Sequence, residues 1–213
     1  MKVKICGLTN PEDAITAVEA GADYIGVIVD VPVETPRKIT LQQALNIKKA
    51  ISATPHKLVA VIMPKTAQEA KNIFDALRPD AIQLHGTESP KLIRDIKSLT
   101  ECEIIKAIHV RDKVDLGYLM AVEKEAGIIL VDTQVGEKVG GTGSTHDIRL
   151  DLEIKAKTKK SMMLSGGLTP ENVRERLEQI RPYGVDTSSG VESAPGIKDP
   201  VKILKFISEA KCH

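Results

Sequence analysis

Residues 161–192 read SMMLSGGLTPENVRERLEQIRPYGVDTSSGVE. Met162–Ser165 is a short run of strand type that ends in Gly166-Gly167, and Val185–Thr187 is another that ends in Ser188-Ser189-Gly190. The stretch between them is amphipathic and helical in spacing. Strand, loop, helix and strand in that order form the unit that joins two parallel strands by a crossover. Outward from it the same alternation fills the chain, with strand candidates at Val3–Cys6, Tyr24–Val29, Leu58–Met63, Ala81–Leu84, Ile104–Ile108 and Ile128–Asp132. Thr9–Glu12, Thr40–Gln43 and Thr66–Glu69 have capping-box spacing, in which hydroxyl and carboxylate or amide satisfy orphan N–H groups reciprocally. Pro11, Pro170 and Pro200 suit first helical turns, where a missing N–H costs nothing.

Eight strand-then-helix units without a linker or composition break favour a closed (β/α)8 TIM barrel over an open doubly wound sheet. Residues 1–213 are expected to form a single domain, with lean loops. The longest irregular stretch, Gln134 to Asp147, follows the sixth strand, where long loops often act as lids. The 213 residues carry 30 basic and 29 acidic side chains and only 2% aromatics, which argues against a nucleic-acid partner. Charges interrupt every apolar run before about 20 residues, so no membrane partner is expected. Cys6, Cys102 and Cys212 form no CxxC or Cys/His cluster, and isolated thiols suit a reducing, cytoplasmic setting.

Alternate residues of a barrel strand face inward. Where the apolar parity packs on helices, the interior receives Lys4, Cys6, Gln83, His85, Lys106, Asp132 and Asp186. Buried charges need partners, and Asp186 is expected to balance Lys4 and Lys106. That set reads as a structural network or as part of a site. Cys6, His85 and Asp132 end their strands, and the C-terminal rim is the catalytic face of such barrels. On residue type alone Cys6 also reads as a small buried hydrophobe, and Asp132 as a cap for its loop.

The loops after the seventh and eighth strands are the usual phosphate site of this fold, and here both are glycine-bearing. Gly166, Gly167, Ser188, Ser189 and Gly190 are therefore the candidate phosphate cradle. Nucleotide motifs fit poorly. Gly136 and Gly141 have Walker spacing, but Thr142 stands where Lys is required. Gly141-Thr142-Gly143 lacks the remaining glycine of a dinucleotide fingerprint, so Gly141 and Gly143 are assigned only a supporting place. A sugar phosphate fits better.

Lys4-Ile5-Cys6-Gly7, Gln83-Leu84-His85-Gly86, Val131-Asp132-Thr133, Leu164-Ser165-Gly166-Gly167-Leu168 and Gly184–Glu192, in order across the chain, closely resemble the phosphoribosylanthranilate isomerase family of tryptophan biosynthesis. The resemblance implies a barrel of the ribulose-phosphate-binding type, an Amadori rearrangement, and neither cofactor nor metal. It makes Asp132 the general acid at the ribose ring oxygen and Cys6 the general base at C2. Asp132 is then expected to have a raised pKa, and Lys4 to stabilise the Cys6 thiolate. By the same resemblance Arg37, after Thr35-Pro36, meets the anthranilate carboxylate, whereas residue type alone gives a solvated loop cation. Asp186 joins the substrate-binding set, and Gln83 and His85 support the site. A homodimer is admitted by such a chain. Many relatives carry Phe where Gly26-Val27-Ile28-Val29 runs here, and Phe or Asn near Val61-Ile62-Met63-Pro64, so the resemblance leaves the grip on the aromatic ring open. The related two-phosphate isomerase of histidine synthesis needs a second anion loop, and Pro64-Lys65-Thr66 and Gly86-Thr87-Glu88 offer no Gly-Gly. A non-catalytic sugar-phosphate sensor would need neither Cys6 nor Asp132.

Overall fold

The computed structural model describes residues 1–53, 55–110, 113–133 and 148–212. Its parallel strands are β1 (Lys2–Ile5), β2 (Tyr24–Val29), β3 (Lys57–Ile62), β4 (Ala81–Leu84), β5 (Glu103–Val110), β6 (Ile128–Thr133), β7 (Ser161–Ser165) and β8 (Gly184–Thr187). Each pairs with the next, and β1 pairs with both β2 and β8, so the sheet closes on itself. The helices α1 (Pro11–Glu19), α2 (Leu41–Ala50), α3 (Ala67–Leu77), α4 (Pro90–Thr100), α5 (Leu116–Val122), α6 (Ile148–Lys157), α7 (Val173–Ile180) and α8 (Pro200–Lys211) follow the strands in turn. The expected (β/α)8 TIM barrel is the fold.

Local chemistry sets the helix starts. Thr40 and Gln43 make the full reciprocal cap at α2. At α1 the cap is Asn10 and not Thr9, because Pro11 has no N–H and takes the first helical position; Asn10 accepts from the Asp13 N–H at 2.8 Å. Thr9 instead donates to the Gly196 carbonyl at 3.1 Å. Thr66 caps α3 through the Glu69 N–H, but the Glu69 carboxylate turns back to the Lys65 N–H at 2.7 Å, one residue short of a reciprocal box. Pro170 lies in a turn ahead of α7, which begins only at Val173.

Two apolar layers result. Val3, Ile5, Ile25, Val27, Ile82, Leu84, Ile129, Val131 and Val185 pack outward on the helices, while Tyr24, Val59, Val61, Ala81, Ile105, Ala107, Leu130 and Met163 fill the barrel. The expected parity therefore holds for Lys4, Gln83, Asp132 and Asp186. It fails for Lys106. Both parities of β5 are apolar, and Ile105 and Ala107 are the residues inside, which puts Lys106 on the outer row with Ile104 and Ile108. Its partner is accordingly Glu88 at 2.9 Å, not Asp186, and its Nζ also donates to the carbonyls of Leu84 and Gly86 at 3.0 and 2.7 Å. Burial holds the Lys106 pKa below the ordinary lysine value against the pull of Glu88.

Removing one member of a buried pair strands the other charge, at a cost of about 3–5 kcal/mol, whereas an apolar replacement of both is tolerated. Glu88→Gln should therefore lower the unfolding free energy by about that amount in a urea titration, and adding Lys106→Met should restore most of it. A neutral Glu88→Gln would place the counter-charge of Lys106 elsewhere.

Candidate active site

Inward-facing residues near the C-terminal rim stack in register. Lys4 on β1 stands beside Asp186 on β8, and its Nζ reaches Asp186 Oδ1 at 3.0 Å with both side chains buried. Ser165 Oγ lies 3.4 Å from the other Asp186 oxygen. Cys6 continues the inner row of β1, its N–H donating to the Thr187 carbonyl at 2.9 Å, and the Lys4 ammonium lies near enough to its sulfur to favour the thiolate. Burial opposes the Lys4 charge, but Asp186 and Cys6 outweigh it and hold the amine above its usual pKa. Burial also pushes the Cys6 thiol up, and the nearby Lys4 and Lys198 offset that only in part. Asp186 is likewise raised by burial, against Lys4.

Space for the thiol comes from β2. A Cβ on Gly26 would stand 2.9 Å from Cys6 Sγ and 3.0 Å from Lys4 Nζ. The absent side chain leaves room for both the amine and the sulfur beneath the rim. The stretch was legible only as a departure from relatives that carry Phe nearby.

Asp132, the penultimate residue of β6, stands directly opposite His109 on β5. His109 Nδ1 lies 3.3 Å and His85 Nε2 3.5 Å from Asp132 Oδ2. Gln83 meets His85 Nδ1 at 3.1 Å, and His109 Nε2 meets the His85 carbonyl at 2.7 Å. Burial favours a neutral Asp132, but His109 and then His85 overcome it, and the pKa falls below the ordinary carboxylate value. The expected rise is thus corrected: the enclosure carries two imidazoles and is not apolar. Burial takes His85 down to about 4, while the nearby Asp132 carboxylate raises His109. His109 carries no motif and was missed. Its signal was positional, a histidine on the inner row of β5 level with Asp132. Among the described residues His85, His109 and Asp132 are also the set whose atoms could hold a metal ion.

The late loops form the other half. The chain turns through Gly166 (φ 90°) and Gly167 (φ 65°) after β7. It turns again through Ser188, Ser189 and Gly190 after β8, where Ser189–Val191 is a single 3-10 turn. Thr187 Oγ1 donates to the Leu168 carbonyl at 2.7 Å, lacing the two loops together. A Cβ on Gly190 would fall 1.9 Å from that same oxygen, so only glycine permits the approach. A cavity of about 470 Å³ is lined by Gly166, Gly167, Ser188, Ser189 and Gly190. It adjoins one of about 260 Å³ lined by Cys6, Ile28, Val61 and His85, and Arg37, Asp132 and Asp186 border both.

Arg37 has a protein partner that the sequence did not disclose. Its Nε and Nη2 donate to the two Glu192 oxygens at 2.7 and 2.6 Å, and buried Lys198 joins Glu192 at 3.0 Å. Lys198 also donates to the Ser188 carbonyl at 2.9 Å, tying the arginine to the phosphate-type loop. Arg37 and Lys198 overcome burial and keep Glu192 below its ordinary pKa. Glu192 takes one edge of the guanidinium, which leaves the Nη1–Nη2 edge for a second carboxylate. Gly141 and Gly143 lie outside the described residues.

Two glycine-bearing loops beside a buried thiol and a carboxylate, at the C-terminal rim of a closed parallel barrel, are the layout of a barrel of the ribulose-phosphate-binding type. Residues 3–209 match the family model for N-(5'phosphoribosyl)anthranilate (PRA) isomerase, and the chain belongs to that family. An N-(5'-phosphoribosyl)anthranilate isomerase of Methanopyrus kandleri is 40% identical, the match covering 99% of each chain. The crystal structure of phosphoribosyl anthranilate isomerase from Thermotoga maritima is 37% identical over 99% of this chain and 98% of that one, with a TM-score of 0.84. A phosphoribosyl anthranilate isomerase crystallised with reduced 1-(o-carboxyphenylamino)-1-deoxyribulose 5-phosphate is 34% identical over 99% and 98%, with a TM-score of 0.82.

If Gly26 makes room for the reactive sulfur, Gly26→Ala should lower kcat about 10²-fold, the scale of a misplaced reacting group. The added methyl should cost only about 1–3 kcal/mol of stability. Turnover near wild type in a folded Gly26→Ala protein would mean that the thiol has no need of that space.

Proposed function

We propose that Cys6 and Asp132 are the base and the acid of the family's reaction, the isomerisation of N-(5'-phosphoribosyl)anthranilate to 1-(2-carboxyphenylamino)-1-deoxyribulose 5-phosphate in tryptophan biosynthesis. The carrying observation is that both border one small cavity that opens onto the glycine loops. Asp132 gives a proton to the ribose ring oxygen as the C1–O bond breaks and the nitrogen lone pair forms the C1=N bond. The Cys6 thiolate then removes the C2 proton, and that electron pair makes C1=C2 and neutralises the nitrogen. The enolamine tautomerises to the ketone. The 5-phosphate rests on the amides of Gly166, Gly167, Ser188, Ser189 and Gly190. The second edge of Arg37 takes the anthranilate carboxylate, and Asp186 keeps Lys4 charged beneath the sulfur.

The free enzyme holds a thiol and a carboxylate, whereas the chemistry needs a thiolate and a carboxylic acid. The two forms contain the same single proton. Substrate that fills the cavity removes water from Asp132 and favours its neutral form, while Lys4 receives the new thiolate charge. In this reading residues 1–213 make one cytoplasmic domain. A homodimer is supported by the exposed Ile197, Val201 and Leu204 and by the dimeric form of the Thermotoga maritima enzyme.

Cys6→Ala and Asp132→Asn should each reduce kcat by about 10²–10⁴-fold while product-analogue binding persists. Because the shared proton leaves the free enzyme from the Cys6 thiol, kcat/KM should fall as pH rises past that thiol's elevated pKa. An alkaline limb that is unmoved in Cys6→Ser would detach it from the thiol.

Arg37→Ala should lose about 2–4 kcal/mol in kcat/KM. On a substrate analogue without the carboxylate, the variant and wild type should perform alike. Equal damage on that analogue would make Arg37 a support of its loop through Glu192.

A further inference from the structure

We propose that His85 Nε2, His109 Nδ1 and Asp132 Oδ2 form a site for one divalent transition-metal ion of the zinc class, and that the ion and the substrate exclude each other. The three atoms lie within 4.8 Å of one another, with edges of 3.3 Å from His109 to Asp132 and 3.5 Å from His85 to Asp132. Zinc binds nitrogen and carboxylate oxygen at about 2.0–2.2 Å, so two ligands of a tetrahedral ion stand about 3.3–3.5 Å apart. Those edges are therefore at ligand spacing without movement of the strands that carry them.

The outer hydrogen bonds aim the lone pairs inward. His109 Nε2 is 2.7 Å from the His85 carbonyl, which can only accept, so Nε2 carries the ring proton and neutral Nδ1 presents a lone pair. Among the described residues Nδ1 has no hydrogen-bond partner, and neither does the buried Oε1 of Gln83. Gln83 Nε2 donates to His85 Nδ1, and the His85 Nε2–H faces Asp132; a metal ion would displace that proton, and turning the Gln83 amide over would then set its oxygen on His85 Nδ1–H, the outer-shell arrangement of a metal-bound histidine. When both rings are neutral in that arrangement, three acceptors face one another; a proton on His109 resolves that in the free site, and a cation between the three atoms resolves it equally. Two imidazoles and one carboxylate select zinc, cobalt or nickel over magnesium and calcium, which prefer oxygen. The side chains are 33%, 27% and 19% exposed, so the ion has a way in from the cavity and keeps a position open to solvent. In the acid–base scheme the paired imidazoles set the resting charge of Asp132 and touch no reacting atom.

The exclusion rests on the reading of Asp132 as the acid, whereas the binding of metal does not. Untagged full-length protein titrated with Co²⁺ should develop the strong visible absorption of a tetrahedral ion at one equivalent, and Zn²⁺ should abolish it. His109→Gln and His85→Gln should each weaken cobalt binding by at least about 10-fold, while His56→Gln leaves it unchanged. Circular dichroism checks that the variants are folded. No tetrahedral absorption in wild type, or full absorption in folded His109→Gln, would overturn the site. The reduced product analogue should bleach the cobalt band, and Zn²⁺ should raise KM. A band that persists with the analogue bound would overturn the exclusion. Should Asp132 not be the acid, Asp132→Asn would retain turnover, a result independent of the cobalt spectrum in wild type.

Discussion

A lysine ammonium buried at the centre of the barrel is tolerable only with an anion against it, and the 3.0 Å contact between Lys4 and Asp186 supplies that. The pair does more than neutralise. It joins the first strand to the last, the seam at which the sheet becomes a barrel. It also fixes the positive charge beneath Cys6 and draws Asp186 to the edge of the late glycine loops, so that seam, thiol and loops share one anchor. A second anchor, Glu192, performs the same service for Arg37 and Lys198 at the rim.

These anchors set an uneven distribution of protons. Burial favours the neutral thiol of Cys6, and two imidazoles favour the charged carboxylate of Asp132. Under the proposed roles of Cys6 and Asp132, a site built this way rests in a form opposite to the one the reaction would use, at the same total charge. The benefit is a resting enzyme without a free thiolate, the species that reacts with oxidants. Asp132 is the meeting point of both halves: it borders the phosphate-side cavity, the thiol-side cavity and the histidine pair.

The fold was legible because the strand–helix alternation runs unbroken and both late loops carry glycine. So were Lys4, Cys6, Gln83, His85, Asp132 and Asp186, since period-2 parity sorts polar from apolar on their strands. Lys106 misled because Ile104, Ile105, Ala107 and Ile108 make both faces of β5 apolar, and alternation then carries no information. The same ambiguity hid His109, which shares the inner row with Ile105 and Ala107. Glu192 was in a quoted motif, but its bond to Arg37 spans 155 residues and no local pattern announces it. The sign of the Asp132 shift depends on imidazoles from two other strands, which only the register of β4, β5 and β6 brings together.

The central claim is that one proton is shared between Cys6 and Asp132 and changes hands when the cavity fills. The direct measurement is carbon-13 NMR of the Asp132 carboxyl group in chelator-treated enzyme near neutral pH, free and with the reduced product analogue. The account predicts a carboxylate signal in the free enzyme and a carboxylic acid signal in the complex, with thiolate absorbance appearing at Cys6. A carboxylate in both states, with Cys6 remaining a thiol, would contradict it.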